Sequence, residues 1–233
     1  MSQGLSFGSA AELYDRIRPT YPPAAVEWAL GLTPLRVVDL GAGTGILTRV
    51  IRALGHHVIP VEPDEAMRAR LAGTTPGVEP LAGRAEHIPV PDGDVDAVMA
   101  GQAYHWFDRE PAHREIARVL KSGGVFAPIW NIRDDSVPWV AQLSEILGAT
   151  DHEGRLDGDF GPEFGPVERG LFRHEVPLNA DLLVQLIASR SYYITATPER
   201  RGAIEAQVRA LAAELPETFP LPYVTYVYRS CRI

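Results

Sequence analysis

The stretch Val37-Val38-Asp39-Leu40-Gly41-Ala42-Gly43-Thr44-Gly45, with Glu62 beyond it, decides the fold. The apolar run Leu35 to Leu40 reads as a buried strand and ends in three glycines at alternate positions. Ile46, Leu47, Val50, Ile51 and Leu54 then recur at helical spacing, with Gly55 as the stop. A second apolar run, His57 to Val61, ends on Glu62. Strand, glycine turn, helix, strand and acid make half of a nucleotide-binding α/β fold.

Glycine lets a ligand approach the backbone because no Cβ intervenes. The dinucleotide fingerprint G-x-G-x-x-G/A fails here: its last position falls on Ile46 or on Thr48. A phosphate loop G-x-x-x-x-G-K-[ST] is absent. What stands is D-x-G-x-G-x-G, which resembles motif I of the class I methyltransferases that use S-adenosylmethionine. Glu62 resembles that family's acid at the tip of the second strand, where a carboxylate accepts two hydrogen bonds from ribose hydroxyls. The bend is thus read as a cradle of bare backbone, its amides left for the ligand.

The resemblance runs on. Gly83-Arg84-Ala85-Glu86-His87-Ile88-Pro89 and Pro91-Asp92-Gly93-Asp94-Val95-Asp96-Ala97-Val98 look like the adenine-side loop and fourth strand of the type-11 small-molecule subgroup. His113 to Lys121, Ser122-Gly123-Gly124 and Val125 to Trp130 look like the next helix, tight turn and strand. Tyr14-Asp15-Arg16-Ile17-Arg18-Pro19-Thr20-Tyr21-Pro22 and Tyr104-His105-Trp106-Phe107 are similar to a subgroup that includes the trans-aconitate methyltransferases. Recognisable motifs cover residues 5–131. One departure is Arg84, where many type-11 members carry an Asp that binds the adenine amino group; arginine has no acceptor. Ala85 and Glu86 are the favoured substitutes.

The resemblance implies an α/β, Rossmann-like domain over 1–233: a mostly parallel seven-stranded sheet, its last strand antiparallel, with helices on both faces. Within it, 1–34 form a helical lid, 35–131 the cofactor core, 132–170 a helix and irregular loop with a possible acceptor lid, and 171–233 the closing strands and helices. It also implies S-adenosylmethionine as cofactor. The contacts it implies are Gly41, Ala42, Gly43, Thr44, Gly45, Glu62, Pro63, Met67, Ala85, Glu86, Gln102, Ala103 and Trp106, with Tyr14 and Arg18 folding over from the lid.

Bulk properties bound the rest. At 233 residues, 45% hydrophobic and 22% charged, the chain suits one globular domain. No apolar run reaches membrane length. The single cysteine, Cys231, excludes an internal disulfide, and no signal pattern opens the chain, which points to the cytoplasm. A net charge of −8 argues against nucleic-acid partners. No His, Cys and carboxylate spacing resembles a metal site. A monomer or homodimer both fit.

Pro22-Pro23 opens a helix through Leu30. Pro63 suits the first turn of the helix after Glu62, Gly73 ends that helix, and Asp108 caps the helix carrying Ile116, Val119 and Leu120. Val137 to Leu147 reads as a helix, 148–170 as an irregular loop with Phe160 and Phe164, Leu171 to Leu178 as a strand. Two helices, 180–191 and 198–214, precede a last strand over Tyr223 to Ile233.

Methyl transfer from a sulfonium is an in-line displacement, so alignment and exclusion of water do most of the work. A base is needed only where the acceptor must lose a proton. His105, after the fourth strand, is the candidate catalytic residue: it takes the acceptor's proton, hydrogen-bonds it, or merely frames the cofactor. Trp130, Asn131, Arg133, Trp139, Tyr192 and Tyr193 are candidate acceptor-pocket residues. Gly101-Gln102-Ala103-Tyr104 lacks the N/D-P-P-Y/F segment of enzymes that methylate exocyclic amines, and Cys231 is misplaced for carbon-five pyrimidine chemistry. A small-molecule acceptor remains, taking the methyl on oxygen, a carboxylate included, or on nitrogen. The rival is a non-catalytic protein that binds the cofactor or its demethylated product and regulates a partner.

Overall fold

The computed structural model describes residues 18–148, 156 and 158–233. Eight α-helices and six strands alternate among them: α1 Pro23–Leu30, β1 Arg36–Leu40, α2 Ile46–Ala53, β2 His57–Val61, α3 Glu65–Thr74, β3 Val95–Gly101, α4 Arg109–Val119, β4 Leu120–Arg133, α5 Pro138–Leu147, β5 Glu168–Leu178, α6 Ala180–Ala188, α7 Ser191–Ile194, α8 Pro198–Ala212 and β6 Phe219–Cys231. A 3-10 turn, Tyr104–Trp106, follows β3.

The sheet order is β2-β1-β3-β4-β6-β5. The first four strands pair parallel; β6 runs antiparallel to both β4 and β5. The expected mixed sheet with its antiparallel last strand is therefore present, with six strands rather than seven among the described residues. The seventh is reduced to one parallel bridge, Leu81 to Val61, beside β2. Pro76 and Pro80 precede it, and proline cannot donate to a ladder.

Strand alternation sends successive residues to opposite faces. Val38, Val98, Phe126 and Trp130 join the core under α4, whereas Val37, Met99, Ala127, Ile129 and Val227 meet α1 and α2. A third cluster joins α5, α6 and α8 to Leu178, Leu221 and Tyr223. Helices thus cover both faces.

Some local expectations move. Pro63 precedes α3 rather than opening it, because the Asp64 carboxylate accepts from Met67 N and caps the helix one residue later. Gly73 lies inside α3, which ends at Thr74. Asp108 sits at the N-cap of α4 without a side-chain bond. Phe160 and Phe164 are core: Phe160 is fully buried, 4.7 Å from Phe126 between ring centroids. Tyr104 and His113 share that cluster, their Oη and Nε2 2.9 Å apart. Burial holds His113 below its usual range and Tyr104 above its own, so the phenol donates to a neutral imidazole.

Among the described residues no helix is long and apolar enough to cross a membrane, and no group of three or more His, Cys, Asp or Glu is placed to hold a metal ion.

Phe160→Ala is expected to lower unfolding free energy by about 3–5 kcal/mol, read by urea denaturation, because it empties a packed aromatic site.

Candidate functional site at the carboxyl ends of the parallel strands

The bend after β1 uses its three glycines differently. Gly41, Gly43 and Gly45 all have positive φ, at 72°, 56° and 89°. A Cβ on Gly41 would come within 2.6 Å of Ala103 Cβ, and one on Gly45 within 2.8 Å of Leu71 Cγ. Those two glycines permit packing. A Cβ on Gly43 would meet nothing within 4 Å, so its bare backbone faces open space. A small cavity beside it is lined by Tyr21, Asp39, Gly41, Ala42, Gly43, Thr44, Ile46, Leu47 and Gly101.

Four of the five amides of the bend, those of Gly41, Ala42, Gly43 and Gly45, already donate within the protein. Gly41 N and Ala42 N donate to Val61 O at 2.8 and 3.1 Å, and Gly45 N to Ala42 O at 2.9 Å. Gly43 N donates to Glu62 Oε2 at 2.8 Å. This corrects the reading of a donor cradle: the bend is closed by its own bonds and offers a close surface instead. Glu62 also accepts from Asp64 N through Oε1. A carboxylate has about four acceptor sites, so capacity for two further donors remains.

Asp39 lies beneath the bend, fully buried. Its Oδ2 accepts from Thr48 Oγ1 at 2.5 Å, while Oδ1 is buried with no hydrogen-bond partner. Burial pushes this carboxyl up to about 7, against the Thr48 bond and with help from the Glu62 charge. Burial also raises Glu62, opposed by its two backbone donors. An orphaned acceptor in a lined cavity is costly until a donor arrives.

At the end of β3, Gln102 has φ 52°, the one positive φ outside glycine among the described residues. Its Oε1 accepts from Asn131 N at 2.9 Å and fastens β3 to β4. Ala103 is buried against Gly41. Trp106 is 43% exposed, not core. His105 is half-buried, and Trp130 Nε1 donates to its Nδ1 at 3.4 Å. Trp130 itself is buried core.

The adenine-side residues are partly committed. Glu86 Oε1 accepts from Asp108 N at 3.0 Å, and Oε2 lies 3.7 Å from Arg84 Nε. Ala85 and Met67 are buried; Pro63 is exposed. Tyr14 lies outside the described residues. Arg18 reaches α6, donating to Ser189 Oγ and O at 3.1 and 3.0 Å.

A polar row was not legible as a unit in the sequence. Register pairs Asn131 with Thr225, and Arg133 with Tyr223, across β4 and β6; His174 of β5 pairs with Tyr223. Asn131 Nδ2 donates to Thr20 O and Pro19 O at 3.1 and 3.4 Å. Two carbonyls at that end fix the amide orientation, so Oδ1 accepts from Thr225 Oγ1 at 2.6 Å. The hydroxyl proton is then used, and His174 Nδ1 must donate to Thr225 Oγ1 across 3.3 Å. Burial keeps His174 neutral, with its ring stacked on Tyr223 at 5.5 Å. Trp139, Tyr192 and Tyr193 pack instead on the cluster of α5, α6 and α8.

Comparison with known proteins accords with this geometry. The type-11 Methyltransferase domain profile matches residues 38–127. The uncharacterized methyltransferase Rv3342 of Mycobacterium tuberculosis is 41% identical over 97% of this chain and 95% of its own. A malonyl-[acyl-carrier protein] O-methyltransferase of Pectobacterium atrosepticum is 31% identical over 65% of this chain and 61% of its own. A structure from Anaeromyxobacter dehalogenans described as a type II methyltransferase superposes with a TM-score of 0.67 at 23% identity, covering 92% of this chain and 97% of that one, a likeness of fold. The chain belongs to the class I methyltransferases that take their methyl group from S-adenosylmethionine.

The Asp39 shift carries a stability consequence. The folded state holds its proton more tightly than the unfolded one, so stability falls as pH rises from about 4 to about 7. Asp39→Asn retains an acceptor for Thr48 and removes the buried charge. It is expected to raise the melting midpoint of the cofactor-free protein at pH 8 by roughly 5 °C and to flatten its pH dependence, at about 2–4 °C per kcal/mol.

Proposed function

We propose that this methyltransferase acts on a small molecule and delivers the methyl group to an acceptor oxygen, a carboxylate oxygen among them. One observation carries the reading. Residues 18–22 roof the carboxyl ends of the sheet, fastened by Arg18 to Ser189 and by Asn131 to Thr20. Tyr21 lies under that roof on Gly101, where an added Cβ would stand 2.8 Å from the Tyr21 hydroxyl. A roofed site suits a small acceptor and excludes water. The O-methyltransferase among the relatives supports oxygen as the receiving atom.

The residues present fit the cofactor. Asp39 Oδ1 would accept from its ammonium group, the remaining capacity of Glu62 from its ribose hydroxyls, and the open face of Gly43 would lie against it. Glu86 accepts one bond from Asp108 N and keeps acceptor capacity, so it and the Ala85 backbone are the adenine partners in this reading. S-adenosylmethionine, when bound, supplies a methyl group already activated on sulfur. The chain's own contribution is alignment.

His105 serves as a donor in this reading. Trp130 Nε1 donates to Nδ1 and so orients the ring. In this reading His105 positions an acceptor oxygen rather than taking its proton. A carboxylate needs no base.

Incubating the enzyme with isotopically labelled donor and a metabolite extract, then seeking a gain of one methyl group by mass spectrometry, tests the function. A methylated small molecule is expected; label confined to macromolecules would refute the reading. His105→Ala is expected to slow single-turnover methylation by about 10-fold, the scale of one lost hydrogen bond. The shape of its pH profile should stay that of the parent. Loss of a pH limb would instead make His105 a base.

A further inference from the structure

β5 ends the sheet and is paired on one side only, to β6. The pairing is regular over the whole of Glu168–Leu178, with no shift of register to turn the strand away. One pair tells which backbone groups face outward. Pro177 stands directly opposite Pro220. Neither has an N–H, so the two exchange no hydrogen bonds, and theirs is a non-bonded pair of the ladder. Alternation from that pair turns the N–H and C=O of Arg169, Leu171, Arg173 and Glu175 away from β6. Among the described residues no backbone partner meets them. At the other edge of the sheet, by contrast, Leu81 bridges to Val61. An edge that displays unpaired groups is a template for another strand.

The side chains of the same four residues share one face, and all are exposed. Leu171, at 49%, is a large apolar side chain in a charged row. Arg173 lies 3.4 Å from Asp134, whereas Arg169 and Glu175 make no ion pair among the described residues. Directly opposed side chains lie on one face of a sheet, so a strand meeting its own copy across a two-fold axis has one residue opposite itself at the centre. Centred on Phe172, Arg169 stands opposite Glu175 of the second copy, and symmetry repeats the pair. Leu171 stands opposite Arg173 and diagonal to Leu171 of the second copy, while the two Phe172 rings meet on the other face. Cross-strand pairs of opposite charge and of aromatic rings stabilise a sheet. All four outward N–H groups of each copy then meet a carbonyl, and Pro177 falls outside the bonded span. Other centres fare worse. Leu171 at the centre sets Arg169 against Arg173, Arg173 at the centre sets that residue against itself, and His174 at the centre brings in Pro177, which has no N–H to give.

We propose that the protein forms a symmetric homodimer in which β5 pairs antiparallel with β5 of a second copy, centred on Phe172, so that one sheet runs through both. None of these residues belongs to the cofactor site, so the pairing stands apart from the acceptor reading.

Sedimentation velocity of the full chain, from low micromolar concentration upward, is expected to show a dimer; a monomer at every concentration overturns the proposal. Arg169→Glu and Glu175→Arg each set like charges opposite one another at two symmetric places. Each is expected to raise the dimer's dissociation constant about 10-fold at low ionic strength, and the double variant to restore it. A dimer that neither single change weakens, or that the double change fails to restore, overturns the β5 pairing. Amide exchange read by NMR gives a local measure. In the dimer the amides of Arg169, Leu171, Arg173 and Glu175 are expected to exchange as slowly as those of Gly170, Phe172 and His174, and to speed up by at least about 10-fold on dilution to monomer. Slow exchange of the four in the monomer would mean that another segment of the same chain covers the edge, and overturns the second copy as its occupant.

Discussion

The hydrogen bond from Gly43 N to Glu62 Oε2 fastens the bend after β1 to the tip of β2, and the rest of the site is built around it. Val61 O holds the two preceding amides, so one short stretch of β2 fixes almost the whole bend. With those donors consumed locally, the bend can keep three positive-φ residues in place with no ligand to order it. Recognition then falls to shape at Gly43 and to acceptors, Glu62 and Asp39, rather than to a nest of amides. Such a surface suits a ligand bearing hydroxyls and an ammonium group better than one bearing phosphates, which seek donors.

Two carboxylates within one small region set the electrical character of that half. Asp39 and Glu62 are both buried; burial raises both carboxyls, and the Glu62 charge raises Asp39 further. Across the sheet, Arg18, Arg133 and Arg190 gather around Tyr223.

The cofactor half was legible because its information is local. The glycine bend, the strand before it and Glu62 lie within 27 residues, and the periodicities switch where the elements do. The polar row across β4, β6 and β5 was not, because it is made by register: Arg133, His174 and Tyr223 are neighbours only once β6 slots between β4 and β5. Arg133 was singled out, yet nothing near it in sequence points to Tyr223. Glu86 takes on a bond that is hidden for a related reason: its carboxylate accepts from Asp108 N, an amide 22 residues on. The weak edge beside β2 did carry a sign, in Pro76 and Pro80. Phe160 and Phe164 looked like loop residues because their glycine-rich and acidic surroundings hid two core rings.

The sheet order has a consequence for how the molecule is made. β5 pairs only with β6, and β6 is the last strand to be synthesised of the six. While the chain emerges from the ribosome, β5 has no ladder to join and β4 keeps an open edge. Arg229 of β6 also donates to Trp28 O, so α1 gains that fastening late. The β5 and β6 side of the sheet should thus assemble in one closing event once β6 has emerged, onto a parallel half already in place.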